Sequence, residues 1–445
     1  MSFGIPVRNG LAIGLLSSTT LSSNGGLFPA MALDFLQPFL DSRITFTRGT
    51  TATFVGSNGF IQTAAINAPR FDYDPVTLAP KGLLIEEQRT NILLYSEQFN
   101  NVAGWSFFNA TVTANVTASP DGTTNGDALV ENATAGTHVC QQFVNYTSGT
   151  AYTYSVYVKA GTRTWVWLGL PTAAFGVGVS SFYNLVGAGS LGTAAGSPTS
   201  RSITAVGNGW YRITITASAT ITAGGNTVIG AASADNTSFY TGVAAAEALY
   251  LYGADIEAGA FATSYIPTVA SQVTRSADVA TMTGTNFSSW YNASQGTFAV
   301  GFTSNGFTSN AMIFSVTDGT LTNLIQSYWS AATTITMDGG ALATMTLTAA
   351  QNTASTLAYA YKLNDYAAVI NGGSVTTDTS GTPPSTMSQL NISNRNGSLF
   401  GNGHIRQIAY YNTRLPNATL QTLTAPSLVT TLSMSFTNQA YTVGV

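Results

Sequence analysis

Two carboxylates stand close together in a chain that carries few charges. Asp255 and Glu257 lie two residues apart in the stretch GADIEAGAFATSYIPT, and charged residues make up only 8% of the chain. In a β-strand, residues i and i+2 point to the same face, with Cα atoms about 6.5–7 Å apart. Glycoside hydrolysis uses two carboxyl groups roughly 5–9.5 Å apart. The pair could therefore serve as the acid and base that cleave a glycosidic bond.

The same pair has two other interpretations. Calcium prefers oxygen ligands, so the carboxylates and nearby loop carbonyls could hold a structural calcium ion. Alternatively, they lie on a solvated or hydrogen-bonded strand at the closing edge of a domain. Neither this pair nor the acidic pair Glu86–Glu87 has a catalytic motif nearby. We predict the structural role and no catalytic residue, with strand pairing that stops at Pro267, because proline cannot donate to a ladder.

The sequence contains few residues that could support nucleophilic catalysis or bind zinc. The chain contains one cysteine, Cys140, and two histidines, His138 and His404. A cysteine nucleophile needs an activating neighbour, and no glycine-rich nucleophile turn accompanies Cys140. Standard zinc sites need more cysteine and histidine ligands than these. We predict a buried structural thiol beside a histidine at a domain rim, with neither a bound metal nor a cofactor.

The composition excludes several classes of function. The net charge is −4 and no run of Lys and Arg occurs, so the basic surface that nucleic-acid binding requires is missing. No apolar run approaches the ~18–20 residues of a membrane span. The segment LAIGLL after Arg8 is too short for the core of a signal peptide. With 44% hydrophobic and 11% aromatic residues, the 445-residue chain is expected to fold into two or three domains.

The hydrophobic pattern is that of short strands. Residues 151–161 and 209–221 alternate apolar and polar side chains between turn sequences, and the pattern restarts after Pro267. One short helix is predicted in LPNATLQTLT, at 415–424. The predicted fold class is all-β, with two tandem antiparallel β-sandwich (jelly-roll) domains preceded by an extended N-terminal arm and β-hairpins.

Turn sequences and composition divide the chain into six predicted segments. The segments are an extended arm at 1–41, a β-hairpin region at 42–91, a first β-sandwich at 92–267, a linker at 268–284, a second jelly roll at 285–425 and a C-terminal tail strand at 426–445. The arm is apolar but interrupted by Gly and Pro, so it cannot form a core alone. We expect it to lie on a partner surface.

Several aromatic and amide side chains could bind sugars. A sugar ring presents an apolar C–H face that packs on an aromatic ring, while its hydroxyls need polar partners. In TRTWVWLGL, Trp165 and Trp167 share one strand face. The alternative for each aromatic residue is core packing, since Trp is highly buried on average. The predicted carbohydrate-binding residues are Trp105, Trp165, Trp167, Gln141, Gln142, Tyr328, Trp329, Asn394, Arg395 and Asn396.

Three stretches carry a family resemblance. Residues 42–99 resemble the opening of tailed-bacteriophage head spike or head fibre proteins. Residues 92–266, which end in EAGAFATSYIPT, are similar to the carbohydrate-binding-module-like sandwich that follows this opening. The stretch GHIRQIAYYNTRLPNATLQTLT at 403–424 resembles the end of a laminin-G or concanavalin-like jelly roll.

The resemblance implies a structural, non-enzymatic virion protein. Such a protein is assembled in the host cytoplasm, lies on the surface of the extracellular particle as a head spike, fibre or decoration protein, and is a homotrimer. Residues 1–41 would contact the capsid or other virion subunits. Many copies would turn weak binding of host-surface glycans into avidity. The alternatives are a tail or baseplate receptor-binding adhesin, a polysaccharide depolymerase and a cement protein without a ligand.

Overall fold

Strands dominate the structure, which is a computed structural model that describes residues 27–306, 308–320, 322–339 and 343–426. The helices found in this part of the chain are short: α1 (Thr172–Phe175), α2 (Thr285–Ser288) and α3 (Asn417–Thr424). The all-β prediction is confirmed, and α3 lies within the predicted helix. None of the helices in these ranges is long and apolar enough to cross a membrane.

The strands fall into three groups along the chain. The first group is β1 (Met31–Asp34), β2 (Thr45–Thr47), β3 (Ala52–Val55), β4 (Ile61–Ala64), β5 (Phe71–Tyr73), β6 (Pro80–Ile85) and β7 (Arg89–Asn91). The second group is β8 (Ser106–Phe108), β9 (Ala110–Thr117), β10 (Gly126–Glu131), β11 (Ala135–Gly136), β12 (His138–Tyr146), β13 (Ala151–Ala160), β14 (Trp165–Leu170), β15 (Val179–Asn184), β16 (Ser190–Ala195), β17 (Ser200–Gly207), β18 (Trp210–Ser218), β19 (Ala223–Ala232), β20 (Tyr240–Thr241) and β21 (Ala246–Ala258). The third group is β22 (Val273–Arg275), β23 (Val279–Thr283), β24 (Gln295–Ser304), β25 (Ala311–Thr317), β26 (Leu324–Ala331), β27 (Thr334–Gly339), β28 (Thr344–Thr348), β29 (Ser355–Lys362), β30 (Tyr366–Ile370), β31 (Thr376–Asp378), β32 (Gln389–Ile392) and β33 (Gly403–Tyr411).

The second group of strands forms the first sandwich. One sheet has the strand order β17-β18-β13-β21-β10-β9, and the facing sheet has the order β16-β15-β14-β19-β12-β8. We call them the β17–β9 sheet and the β16–β8 sheet. Alternate side chains such as Val156 and Val158 of β13 meet Val166 and Leu168 of β14 in the core. The other face of each sheet is therefore free to carry polar or aromatic side chains.

The second sandwich takes strands from both ends of the chain. Its larger sheet has the order β31-β30-β29-β24-β33-β6-β5, and β1 also pairs with β33. Its smaller sheet has the order β2-β23-β32-β25-β26-β27-β28. Phe298, Phe314 and Trp329 belong to the core between them.

This strand pairing differs from the predicted segments. The turns GSNG and DPVTLAPKG do form the β3–β4 and β5–β6 hairpins. The region 42–91 is not a separate unit, however, because β2, β5 and β6 also extend sheets of the second sandwich. The predicted linker 268–284 contains β22 and β23, which pair with β7 and with β2 and β32. β23 and β2 extend the smaller sheet beyond β32, whose backbone groups on that side would otherwise be unpaired. Residues 1–26 of the predicted arm and 427–445 of the predicted tail lie outside the described residues.

The strand that carries Asp255 and Glu257 is in the interior of a sheet. β21 is 13 residues long and lies between β13 and β10, so the prediction of a closing edge strand is wrong. Its ladder ends at Ala258, well before Pro267. Residues 259–268 then leave the sheet and contact the N-terminal region, where Thr53 Oγ1 donates a hydrogen bond to the Tyr265 carbonyl at 2.5 Å.

Candidate functional site

The Asp255 and Glu257 side chains are closed off from solvent. Both lie on the outer face of β21, opposite Ser155 and Thr153 of β13, and they are 0% and 1% exposed. Asp255 Oδ2 accepts a hydrogen bond from the Ile266 amide at 3.1 Å. Glu257 accepts hydrogen bonds from the amide, at 2.7 Å, and the hydroxyl of Thr263. The pair therefore fixes the path of the loop that follows β21.

Burial also determines the charge of this pair. Loss of water raises the pKa of Asp255 well above its usual range, and the charge of Glu257 raises it further. Burial likewise raises the pKa of Glu257. A glycosidic bond cannot reach carboxyl groups that are covered on every side, so this pair cannot flank one. Within the described residues, no cluster of three or more His, Cys, Asp or Glu side chains could hold a metal ion.

A buried ion network lies next to the pair. Asp278 contacts Arg48 at 3.1 Å and also contacts Arg70, and Arg70 contacts Glu86 at 2.8 Å. Arg275 lies 3.6 Å from Glu86. All five side chains are almost fully buried. A buried charge is tolerated when it is paired and hydrogen-bonded, and each member of this network has such a partner.

The network connects three parts of the molecule. Arg48, Arg70 and Glu86 come from the N-terminal region, and Asp278 precedes β23 of the second sandwich. Glu86 also accepts hydrogen bonds from the amide and hydroxyl of Ser264, in the loop after β21. Burial acts against ionisation of Glu86, but the charges of Arg275 and Arg70 outweigh it and lower the pKa of this carboxyl. The role of these groups is to hold the two sandwiches and the N-terminal strands together.

The outer face of the β16–β8 sheet carries the two tryptophans predicted to share a face. Trp165 and Trp167 point outward from β14 and are half-buried, while Val166 and Leu168 point into the core. Gln141 of β12 lies opposite Val228, which also lies opposite Gly169, so Gln141 is on the same face as the two indoles. The arrangement is open to solvent and combines aromatic surface with an amide.

Glycines allow the indole rings to lie flat on the sheet. A Cβ at Gly230 would collide with the Trp167 ring, and a Cβ at Gly169 would lie 2.7 Å from it. A Cβ at Gly192 would lie 2.6 Å from the Trp165 ring. Because real Cβ contacts are not this short, only glycine fits beneath the indoles. The rings therefore present a face, rather than an edge, to solvent.

Two further aromatic side chains belong to this face, one buried and one exposed. Phe182 is only 5% exposed and stacks on Trp167 with ring centroids 6.3 Å apart and planes inclined by 26°, so it supports the indole rather than adding exposed surface. Phe143, on the same face of β12 as Gln141, is 64% exposed. We refer to Trp165, Trp167, Phe182, Phe143 and Gln141 as the aromatic platform. Exposed aromatic patches of this kind are candidate interaction surfaces.

Two other predicted sugar ligands of the first sandwich are structural. Trp105 is 1% exposed, and its Nε1 donates to the Tyr95 carbonyl at 3.0 Å. Gln142 points into the sandwich from β12. Its Oε1 accepts a hydrogen bond from the Leu94 N–H at 2.7 Å, and its Nε2 donates one to the Leu94 carbonyl at 2.9 Å. Their assignment as sugar-binding residues is wrong, because their polar atoms form hydrogen bonds with the backbone of an internal loop.

The candidates of the second sandwich divide in the same way. Trp329 lies in the core beside Phe302, and Asn394 is buried, with its amide directed to the Ile392 carbonyl at 2.9 Å. Neither side chain is exposed to contact a sugar, contrary to the prediction that both bind carbohydrate. Tyr328, Arg395 and Asn396 do reach the surface, and Arg395 Nη1 donates to Gln326 at 3.2 Å.

The thiol and imidazole groups are also internal. Cys140 is buried, and burial raises the pKa of its thiol, so the nucleophilic thiolate is disfavoured. His138 was predicted at a rim, but it is buried and packs on Tyr240 with ring centroids 4.6 Å apart. His404 Nε2 lies 2.8 Å from Asp72 Oδ2 in another buried contact.

A cleft between the two sandwiches was not predicted. It has a volume of about 560 Å³, and its walls are the outer face of β13, β17 and β18, the hairpin β3–β4, the loop 261–265 and Thr303, Asn305 and Asn352 of the second sandwich. The alternation Ser200, Ser202, Thr204 in β17 was a signal for a polar sheet face. Nothing local indicated what lies opposite that face. We call this feature the inter-sandwich cleft.

Comparison with known proteins gives weak structural similarity and no sequence relative. No family model and no curated protein matches the chain. The carbohydrate-binding domain CBM40 of the Ruminococcus gnavus IT-sialidase, solved with α2,3-sialyllactose, is 18% identical over 30% of this chain and 84% of its own, with a TM-score of 0.28. The NanB sialidase of Streptococcus pneumoniae is 14% identical over 32% of this chain and 26% of its own, with a TM-score of 0.28. Domains LG4-5 of the mouse laminin α1 chain are 8% identical over 63% of this chain and 85% of their own, with a TM-score of 0.20. Similarities at this level assign neither a family nor a ligand.

Proposed function

We propose that this protein is a non-enzymatic, glycan-binding β-sandwich protein that uses the aromatic platform. The observation that carries the proposal is the pair of indoles lying flat on an open sheet face, above Gly169, Gly192 and Gly230. Apolar sugar faces stack on such rings, because aromatic side chains bury much apolar surface with defined geometry. Gln141, on the same sheet face with β19 between its strand and that of the indoles, supplies both a donor and an acceptor for sugar hydroxyls.

Replacing the indoles is the direct test of this proposal. In Trp167→Ala, and likewise in Trp165→Ala, we expect the affinity for glycan to fall roughly ten- to hundredfold, because burying an aromatic side chain contributes about 1.5–3 kcal/mol. An array of neutral and acidic oligosaccharides probed with clustered wild-type protein identifies the best glycan. Titration calorimetry with that glycan then measures the loss.

A matched control is Phe39→Ala, which removes another exposed aromatic ring outside the first sandwich and should bind as the wild type does. Denaturant unfolding of each variant establishes that the platform variants stay folded. Equal affinities for wild type, Trp167→Ala and Trp165→Ala would refute the platform. Release of new reducing ends from bacterial envelope polysaccharide would instead indicate a depolymerase.

We further propose that the protein is a bacteriophage virion appendage, a head spike, fibre or decoration protein that is homotrimeric. The support is the resemblance of residues 42–99 to the opening of such proteins. In this proposal the N-terminal segment binds the capsid or another virion subunit, and weak sites on many copies give avidity for host-surface glycans. Because β1 pairs with β33 in the second sandwich, the contact with the particle is assigned to residues that precede β1.

Removal of residues 1–26 tests the anchoring role and leaves β1 in place. The truncated protein is expected to fold, to keep the glycan affinity of the full chain and to be missing from purified particles. Particle density or gold labelling of the full-length protein distinguishes a head position from the alternative, a tail or baseplate adhesin. Normal incorporation of the truncated protein into particles would contradict the anchoring role.

A further inference from the structure

The inter-sandwich cleft has a polar floor formed by one sheet face. Neighbouring residues of the antiparallel strands β17 and β18 carry hydroxyls on this face: Ser200, Ser202, Thr204, Thr214 and Thr216. Aromatic rings of Phe54, Tyr73 and Phe261 contribute to the opposite wall. The volume of about 560 Å³ lies within the ~300–1,000 Å³ of small-molecule sites. Rows of hydroxyls with aromatic walls suit a ligand that is itself rich in hydroxyl groups.

Arg212 lies on this floor, and part of its guanidinium group has no hydrogen-bond partner. It projects from β18 into the cleft, and its Nη2 donates to Ser155 Oγ at 3.0 Å. Its Nε is buried and has no hydrogen-bond partner. Among the ion pairs of the described residues, none includes Arg212. By contrast, the nearby Arg48, Arg70 and Arg275 each contact a carboxylate.

The carboxyl groups around Arg212 either pair with other cations or are buried with raised pKa values. Glu86 contacts Arg70 at 2.8 Å, and Asp72 contacts His404 at 2.8 Å and Lys81 at 3.4 Å. Asp255 and Glu257, on the same sheet face, have raised pKa values through burial. An arginine stays charged in a protein. Burial opposes this charge, whereas Asp255, Glu257 and Glu86 raise the pKa of Arg212 through their charges, but none of them forms an ion pair with it. The cleft therefore holds a cation that no carboxylate of the described residues contacts directly, and an anionic ligand can take that position.

Tyr157 adds a second unused polar group beside Arg212. Its ring centroid lies 5.5 Å from Arg212 Cζ, so the guanidinium and the ring are neighbours. The residue lines the cleft, and none of the hydrogen bonds found in the described part of the chain uses its hydroxyl. A ligand group placed near the guanidinium can accept a hydrogen bond from this hydroxyl as well.

We propose that the inter-sandwich cleft is a second binding site, for a saccharide that carries a carboxylate. The ligand carboxylate pairs with the planar fork of Arg212, which suits two parallel N–H···O bonds. Tyr157 and the hydroxyls of β17 and β18 bond the sugar hydroxyls. This site is separate from the aromatic platform, because the two lie on opposite sheets of the first sandwich. A neutral saccharide has no carboxylate to pair with this fork, so Arg212 favours the acidic class.

Two kinds of sugar supply this chemistry, hexuronic acids and nonulosonic acids. The probes are trigalacturonate, its full methyl ester, and a trisaccharide that ends in a nonulosonic acid, each titrated into the full chain. We expect the wild type to bind at least one acid, and to bind trigalacturonate at least tenfold more tightly than its ester if the hexuronic class is the ligand. The acid that binds identifies the source of the carboxylate. Failure of both acids to bind at millimolar concentration would refute the proposal.

The variants locate the binding in the cleft. Arg212→Gln is expected to lower affinity for the acid roughly ten- to hundredfold, and Tyr157→Phe roughly two- to tenfold, following the strengths of charged and neutral hydrogen bonds. Tyr157→Phe keeps the ring, so it tests the site even if Arg212→Gln does not fold. Arg43→Gln, at a surface ion pair with Asp41, is the control and should change nothing.

Trp167→Ala distinguishes binding in the cleft from binding on the platform, since this substitution should leave the affinity for the acid unchanged. Full affinity for the acid in both Arg212→Gln and Tyr157→Phe would overturn the cleft proposal and leave the platform untouched. Loss of acid affinity in Trp167→Ala with full affinity in Arg212→Gln would likewise overturn the cleft and assign the acid to the platform.

Discussion

Asp278→Ala is expected to lower the free energy of unfolding by about 3–5 kcal/mol, the cost of removing one partner from a buried ion pair. Asp278 is 0% exposed and contacts both Arg48 and Arg70. Its carboxylate also accepts a hydrogen bond from the Glu86 backbone amide at 3.0 Å. Without it, the guanidinium groups of Arg48, Arg70 and Arg275 stay buried beside a single remaining carboxylate, that of Glu86. Because Asp278 joins the N-terminal region to the second sandwich, the loss falls on the contact between them.

The measurement is denaturant unfolding followed by tryptophan fluorescence and circular dichroism. The matched control is Asp365→Ala, which removes the carboxylate of the Arg414 pair, where the Asp365 side chain is 49% exposed. An exposed pair of this kind contributes about 0–1 kcal/mol. If both variants lose the same small amount, the network is not desolvated in the way that the structure shows. Unfolding in two steps for Asp278→Ala alone would locate the loss between the sandwiches.

The second large effect concerns the tryptophan that was assigned to sugar binding but lies in the core. Trp105→Ala is expected to lower the free energy of unfolding by about 3–5 kcal/mol. Trp105 packs on Phe99 with ring centroids 4.8 Å apart, and its Nε1 bonds the Tyr95 carbonyl. The substitution leaves a cavity and a carbonyl without its donor. Trp105→Phe fills much of the cavity and should cost less.

Glycan affinity separates the two kinds of tryptophan. Trp105→Phe is expected to bind glycan as the wild type does once the folded fraction is taken into account, whereas Trp167→Ala stays folded and loses affinity. Calorimetry at matched concentrations of folded protein makes the comparison. A stable Trp105→Ala protein with weakened glycan binding would mean that Trp105, rather than the platform, contacts the ligand.

The two proposed sites give the first sandwich two functional faces. The aromatic platform lies on the β16–β8 sheet, and the inter-sandwich cleft is built on the β17–β9 sheet. A flat surface suits a polymer that passes across it, while a cleft with walls on several sides suits a short or terminal acidic unit. Sites on separate faces of one subunit can be occupied together, which increases avidity in an oligomer.

The sequence by itself determined the properties that depend on neighbours along the chain. Side chains alternate between the two faces of a strand, so Trp165 and Trp167 had to share a face, as did Asp255 and Glu257. Turn sequences located the β3–β4 and β5–β6 hairpins, and the scarcity of helical periodicity indicated an all-β fold. None of these inferences needs to know what packs on either face.

The tertiary structure decided which face is buried, because burial depends on residues that are distant in the sequence. Trp105 and Trp167 are the same residue type in the same sandwich, yet one fills the core and the other lies on glycines at the surface. Asp255 and Glu257 are covered by the loop after β21, and distant residues of the N-terminal region, Thr53 and Glu86, hold that loop in place. The N-terminal region in turn pairs with the second sandwich through residues such as Ile85 and Gly403, more than 300 residues apart. The inter-sandwich cleft exists for the same reason, since its walls come from three separate parts of the chain.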